Sequence, residues 1–440
     1  MKHNIPIIVG VGEAKNPSTA CSDAIEPVEL MLQAIANGLQ DTAIPQTGIH
    51  SLAGDVDLMS VVANTSWPYD DLPRLLADQI GAKTCQTAYS ELTGNSPVQM
   101  IDDTAQLIAK GQIEVGVVVG GEAFASVKSF IKSNTYPPPW TPPKSGLQKL
   151  YYANDIDMLT GVEKTHQIGV PFQVYPLYEN GFRAQQGQTI LENHQESSHL
   201  YGQFASTAAG HPMAWNYGKH PQTASSINPL LMNAFNDVNI SGACILTSTS
   251  YAERVGIPKD KWIYPLGAGR GEDAEEFWKR PNFHSSPAIA KALDTALKSS
   301  GIDKEEIDLF DFYSCFPIVP KLACQHLGIP LLDSPRPITL LGGLNSFGGA
   351  GANYSMHAVA EMTRQIRKLH HEHKPARGLV LANGGVLTHE NAICLSSAPP
   401  TPGASYPEHE EEILPRKNEQ DSVPQLDVTA EGKAFVEAIK

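Results

Sequence analysis

The feature that most constrains this 440-residue chain is an internal duplication, weak in identity but clear in layout. In the first half, residues 27–40 carry apolar side chains at helical period and lead to an apolar strand at 56–62. In the second half, Ser286 stands as a helix cap with Pro287 in the first turn, where a missing N–H costs nothing. Ile289, Leu293 and Leu297 recur at spacings of four, and the helix leads to a strand at 307–312. The next unit repeats in the same way. Gly94-Asn95-Ser96-Pro97 opens a helix running through Met100 to Lys110, followed by strand 115–119 and then Gly120-Gly121-Glu122. Its counterpart is a glycine-rich loop at 342–355, a helix from Met356 to about Leu369, strand 378–381 and Gly384-Gly385. Two copies of this order predict a duplicated α/β architecture. The continuous apolar strands predict sheets covered by helices on both faces.

Between the halves, residues 124–226 differ in composition. They begin near Tyr136-Pro137-Pro138-Pro139-Trp140-Thr141-Pro142-Pro143, which excludes helix and central strand. A helical segment is expected near 178–200, and an insertion of this kind is expected to shape a pocket. The predicted division is 1–123 with 227–265 as the N-terminal half, 124–226 as the insertion, 266–397 as the C-terminal half and 398–440 as a tail. The tail is Pro-rich and then charged, reading as linker rather than core, with a short helix near 430–440. Charge narrows the partners. With 47 Asp+Glu against 32 Lys+Arg and a net charge of −15, nucleic acid and anionic membrane surfaces are disfavoured. No stretch reaches bilayer-spanning length, and residues 1–9 read as a first strand rather than a signal peptide. Six dispersed cysteines without a CxxC pair fit reduced thiols in the cytoplasm, with no metal-ligand spacing.

The motifs Tyr313-Ser314-Cys315-Phe316-Pro317, Gly342-Gly343-Leu344-Asn345-Ser346-Phe347-Gly348-Gly349-Ala350-Gly351-Ala352-Asn353-Tyr354 and Ala382-Asn383-Gly384-Gly385-Val386-Leu387-Thr388 lie in this order. Tyr175-Pro176-Leu177-Tyr178-Glu179-Asn180 and Arg280-Pro281 followed by His284-Ser285-Ser286-Pro287 support them. Over roughly residues 5–397 the chain resembles the thiolase superfamily, and within it the thiolase-like proteins of type 1 described as acetyl-CoA acetyltransferases. The resemblance implies a five-layer αβαβα fold, with two mixed sheets around buried helices, and a homodimer. It implies acyl-CoA and lipid metabolism, with a coenzyme A thioester as substrate and no permanent cofactor. It also leaves the peroxisome open as a compartment, although Ala438-Ile439-Lys440 is not a peroxisomal address. The subgroup's extra C-terminal β-domain is not expected in the forty or so residues after the last strand.

A thiolase needs a nucleophilic Cys at a buried helix start, a His in a Gly-His-Pro turn and a second Cys as acid/base. By the resemblance these positions hold Gly94, Gly349-Ala350 and Ala382. Glycine can neither carry an acyl group nor move a proton, so the usual acyl-enzyme route is closed. The surviving catalytic candidates are Cys315, with Tyr313 and Ser314 beside it, and His357, whose helix face carries Glu361 and Arg364. Each has a plainer alternative: Cys315 as a small core thiol, His357 as a group bonded to a neighbouring loop. Asn95, Ser96, Ser346, Gly349 and Asn353 stand in loops expected to open helices, where backbone N–H groups suit a thioester carbonyl. Glycine at 94 and 349 is expected to leave room for a bulkier substrate. Lys144, Lys149, Arg183 and Lys219 are candidates for nucleotide phosphates, and His389-Glu390 is expected in an exposed loop. Three functions stay open: acyl transfer or thioester chemistry by a non-standard mechanism, non-catalytic acyl-CoA or lipid binding, and a structural subunit in a thiolase-like assembly.

Overall fold

A computed structural model describes residues 4–44, 52–144, 146, 157, 159–219, 232–370 and 375–408. The first sheet is built from β1 (Pro6–Lys15), β2 (Leu58–Val61), β3 (Gln86–Tyr89), β4 (Val115–Ala123) and β5 (Asn239–Ser248), in the order β1-β5-β4-β2-β3. The second is built from β6 (Tyr264–Glu272), β7 (Leu309–Phe312), β8 (Arg377–Gly384) and β9 (His389–Ser396), in the order β6-β9-β8-β7. Both are mixed: β2–β4 and β7–β8 run parallel, whereas β1–β5, β4–β5, β6–β9 and β8–β9 run antiparallel. Setting β3 aside, the two orders superimpose.

The helices supply the remaining layers. Outside the first sheet lie α1 (Pro27–Asp41), α2 (Leu72–Ile80) and α8 (Thr249–Val255); outside the second lie α9 (Pro287–Ser300) and α10 (Ile318–Leu327). Between the sheets lie α3 (Ser96–Ala109) and α12 (Tyr354–His370), each touching both. The result is the five-layer αβαβα arrangement expected. Ser286 caps α9 by accepting from the Ile289 amide, as its position before Pro287 implies.

The duplication goes deeper than the motifs suggest. A Cβ at Gly10 or Gly12 of β1 would collide with the backbone of α1 at Gly38 and Ala34. A Cβ at Gly269 or Gly271 of β6 would collide with the backbone of α9 at Ala292 and Ala288. In both halves the first strand uses alternate glycines to let the outer helix approach the sheet. This is the reason for the sequence Gly267-Ala268-Gly269-Arg270-Gly271.

Two expectations need correction. The single helix expected near 178–200 is a pair, α6 (Pro171–Gln185) and α7 (Ile190–Ala209). Gly187, at φ +69°, breaks the chain, and Thr189 and Glu192 form a reciprocal capping box that starts α7. The tail, expected as linker, packs back as far as residue 408. Tyr406 is buried and donates to Asp102 Oδ1 of α3 at 2.8 Å. The helix expected near 430–440 lies outside the described residues.

Candidate functional site

The centre of the fold, where α3 and α12 begin against the ends of β7 and β8, is filled. A Cβ at Gly94 would lie 2.7 Å from the Tyr313 hydroxyl and closer still to the Asn383 carbonyl oxygen. At Gly349 it would lie 2.7 Å from Asn236 Oδ1. At Gly94 backbone and side chain occupy the space expected for a substrate, whereas at Gly349 the close atom is the end of the flexible Asn236 side chain. Tyr313 continues this packing edge-to-face onto Tyr354, with ring centres 5.4 Å apart, and both are buried.

The second cluster surrounds Cys315, just past β7. Asn383 Nδ2 donates to the Tyr175 hydroxyl at 2.8 Å and reaches Cys315 Sγ at 3.5 Å. Tyr175, on α6, stacks on Phe316 at 4.4 Å, and Tyr201, on α7, donates to the Ser314 carbonyl at 3.0 Å. The two insertion helices therefore each set a tyrosine on the Tyr313–Phe316 loop. Thr93, Gly94, Cys315, Phe316 and Val386 keep part of their surface, and Gly385 is exposed, so the cluster borders a half-open junction. The Cys315 sulfur itself is deep. Burial pushes its thiol up to about 12, aided by Glu390 and opposed by hydrogen bonds from Tyr175 and Asn383. Burial likewise holds the Tyr175, Tyr201 and Tyr313 hydroxyls well above their usual range, so they are neutral donors.

Glu390, expected in an exposed loop, is an interior residue of β9 and wholly buried. Burial holds its carboxyl well above the usual carboxylate range, with Arg280 opposing. The polar pair His389-Glu390 carried no signal of strand, and only the ladder with β8 places it. Tyr175, Asn383 and Tyr201 were equally hidden as site residues, although Tyr175 and Asn383 lie within the motifs.

His357 does not bond a loop. Its Nδ1 meets Glu13 Oε1 of β1 at 2.5 Å, and Arg364 pairs with the other Glu13 oxygen. Burial opposes ionisation of Glu13, but the hydrogen bond and charge of His357 and the charge of Arg364 outweigh it and hold the carboxyl at about 2. Glu361 joins Arg364 at 3.4 Å, so the helix face read from the sequence is a real network. The loop residues are mostly committed. Asn95 Nδ2 donates to Asn391 Oδ1, Ser96 Oγ to the Glu91 carbonyl, and Asn353 Nδ2 to the Gly120 carbonyl. The Gly349 amide donates to the Phe235 carbonyl at 2.8 Å and is not free to bind an oxyanion. Ser346 ends the short helix α11 (Gly343–Ser346), begins the loop that leads into α12 at Tyr354, and donates to Asn345 Oδ1. Of the basic candidates, Arg183 is held by Asn180 and Gln188, Lys219 lies over the Trp215 ring, Lys144 uses its backbone N–H on Asp70, and Lys149 lies outside the described residues.

Two duplicated halves with their inner helices starting at one centre define the thiolase fold, and the chain belongs to the thiolase superfamily. No family model and no curated protein matches the sequence. Among solved structures, the chain is similar to a monomeric SCP2-thiolase-like protein type 1 from Mycobacterium smegmatis. They share 26% identity and a TM-score of 0.74, over 96% of this chain and 83% of that one. The Ltp2–ChsH2(DUF35) aldolase shares 17% identity and a TM-score of 0.62, over 88% of this chain and 97% of that one. The Acat5 thiolase of Ascaris suum, in complex with coenzyme A, shares 16% identity and a TM-score of 0.63, over 89% and 99%. The last two likenesses concern the fold alone.

Proposed function

We propose that this protein binds an acyl-CoA thioester at the Cys315 junction and acts on the thioester without the acyl-enzyme of a thiolase. The observation that carries this is the convergence of three neutral donors, the Cys315 thiol, the Tyr175 hydroxyl and the Asn383 amide, at a half-open edge of an otherwise filled centre. Neutral donors polarise a carbonyl and stabilise charge that develops on its oxygen. The acceptor's O–H, N–H or S–H adds across the carbonyl, the C–S bond breaks, and the acceptor proton ends on the released CoA thiol. Cys315 is a poor nucleophile here, since a thiol near 12 is ionised in only about one molecule in 10⁵ at neutral pH. The coenzyme A complex of the Ascaris suum thiolase supports the ligand class, and the aldolase relative supports carbonyl chemistry other than thiolysis on this fold. The insertion 124–226 shapes the junction through Tyr175 and Tyr201. The homodimer implied by the superfamily belongs to this proposal, although the Mycobacterium smegmatis relative is monomeric.

The second reading, a non-catalytic acyl-CoA or lipid binder, is favoured by the deep, protonated thiol and the closed centre. Incubation with a panel of acyl-CoAs, assayed by intact-protein mass spectrometry and free CoA release, separates the two. CoA release without an adduct, reduced in Tyr175→Phe, is the expected result. A rise in melting temperature with no release supports the binder instead. A stable adduct lost in Cys315→Ala overturns the non-covalent route.

A further inference from the structure

The end of the β8–β9 hairpin holds a carboxyl group that bonds to none of the described residues. Glu390 is wholly buried, and neither of its oxygens meets a hydrogen-bond partner among the described residues. A sealed polar group left unmet is a standing cost to the fold. The ladder sets the direction of this one. Glu390 and Asn383 are cross-strand partners, so their side chains leave the sheet on the same face. On that face the Asn383 side chain reaches Tyr175 and Cys315, so the Glu390 carboxyl lies behind the half-open junction. Asn391 turns to the other face, where its Oδ1 accepts from Asn95 beside Gly94. Asn383 Oδ1 is a second sealed, unpartnered atom on the Glu390 side. Arg280 does not satisfy the carboxyl, because its guanidinium serves the Ala274 and Val386 carbonyls, the Tyr178 hydroxyl and Thr388 Oγ1. Burial raises the Glu390 carboxyl well above the usual carboxylate range and so favours its protonated form, an O–H donor that meets no acceptor among the described residues.

We propose that Glu390 is a catalytic residue, whose carboxyl O–H donates to the thioester carbonyl oxygen of an acyl-CoA entering past Cys315. This rests on the acyl-CoA reading above. In this assignment the carbonyl enters between Asn383 and Cys315, displacing their 3.5 Å N–H···S contact. Once bound, the carbonyl supplies the acceptor Glu390 lacks.

The experiment compares an acyl-CoA with its thioether analogue, which has the same chain and no carbonyl oxygen. Affinities are measured by calorimetry on the full chain as wild type, Glu390→Leu and Glu390→Gln. Wild type is expected to bind the thioester about tenfold more tightly than the thioether. Glu390→Leu is expected to lose most of that preference while keeping its thioether affinity, and Glu390→Gln, which retains an N–H donor, to keep more of it. In infrared difference spectra the protonated-carboxyl band should be missing from Glu390→Leu, and in wild type should move with the thioester alone. A purely structural role would not move it. Equal binding of both compounds to wild type, or a preference undiminished in Glu390→Leu, overturns the role of Glu390 and leaves acyl-CoA binding intact. If neither compound binds wild type, the acyl-CoA reading falls and this assignment falls with it.

Discussion

Gly94 shows how much a single position decides. By the resemblance a glycine here closes the standard thiolase route, but whether the space at its Cβ serves a ligand depends on residues far away in sequence. Tyr313, just past β7, and Asn383 of β8 fill it. Gly94→Ala is expected to destabilise the fold by about 1–3 kcal/mol, the usual range for overpacking a tight core. Adding Tyr313→Phe should recover little of this, because the nearest atom is the Asn383 backbone carbonyl, which no side-chain change removes. Urea unfolding of both variants checks this, and a Gly94→Ala protein as stable as wild type would show that the centre is open. Cys315 shows the same division. Its place beside the last strands was legible from its motif, whereas the depth that keeps its thiol protonated was not.

At the scale of elements, the α6–α7 pair is held over the junction by one buried charge. Lys321 of α10 is fully enclosed, with its Nζ 2.5 Å from Glu179 Oε1, 2.8 Å from Asn193 Oδ1 and Ser197 Oγ, and 3.2 Å from Glu196 Oε1. These partners come from both insertion helices, and α10 directly follows the Cys315 loop. Removing one member of a buried ionic cluster leaves the others uncompensated, typically at about 3–5 kcal/mol. Lys321→Met is therefore expected to speed hydrogen exchange in α6, α7 and the 313–316 loop while β1 and β5 keep their protection. Uniform acceleration across the chain would rule out a local clamp. The sequence showed helical character in this insertion. It did not show the break at Gly187 as a helix end, or the lysine on α10 that fastens the pair.

At the scale of the molecule, the duplicated halves are tied by charged side chains that cross between them. Arg367 of α12 binds Asp41 of α1 and the carbonyls of Val9 and Lys261, and Arg270 of β6 pairs with Asp102 and Asp103 of α3. Two buried carboxyls give stability a distinctive pH dependence. Burial lifts Asp311 from 3.8 to about 7 despite donors at Leu340, Leu341 and Thr339. In the unfolded chain it ionises near 3.8, so its contribution is full below that pH and declines as pH rises toward 7. Glu13 has the opposite sign: its contribution is present above 4.5 and is lost as pH falls toward 2. Asp311→Asn should therefore gain stability relative to wild type from pH 4 to pH 7, the difference levelling off above. Thermal melts across this range test it, and a difference independent of pH would contradict the buried, protonated Asp311.

By itself the sequence determined the class of architecture. Helical period, strand runs and glycine punctuation are local properties, and a duplicated order of them leaves few ways to bury the apolar faces. Only the tertiary structure decided what packs against Gly94, that Glu390 is interior, and that His357 faces Glu13 from 344 positions away in the chain. Those outcomes follow from which strands pair and in which register. A one-residue shift in a ladder exchanges inside for outside, and no local pattern at His389-Glu390 records that choice.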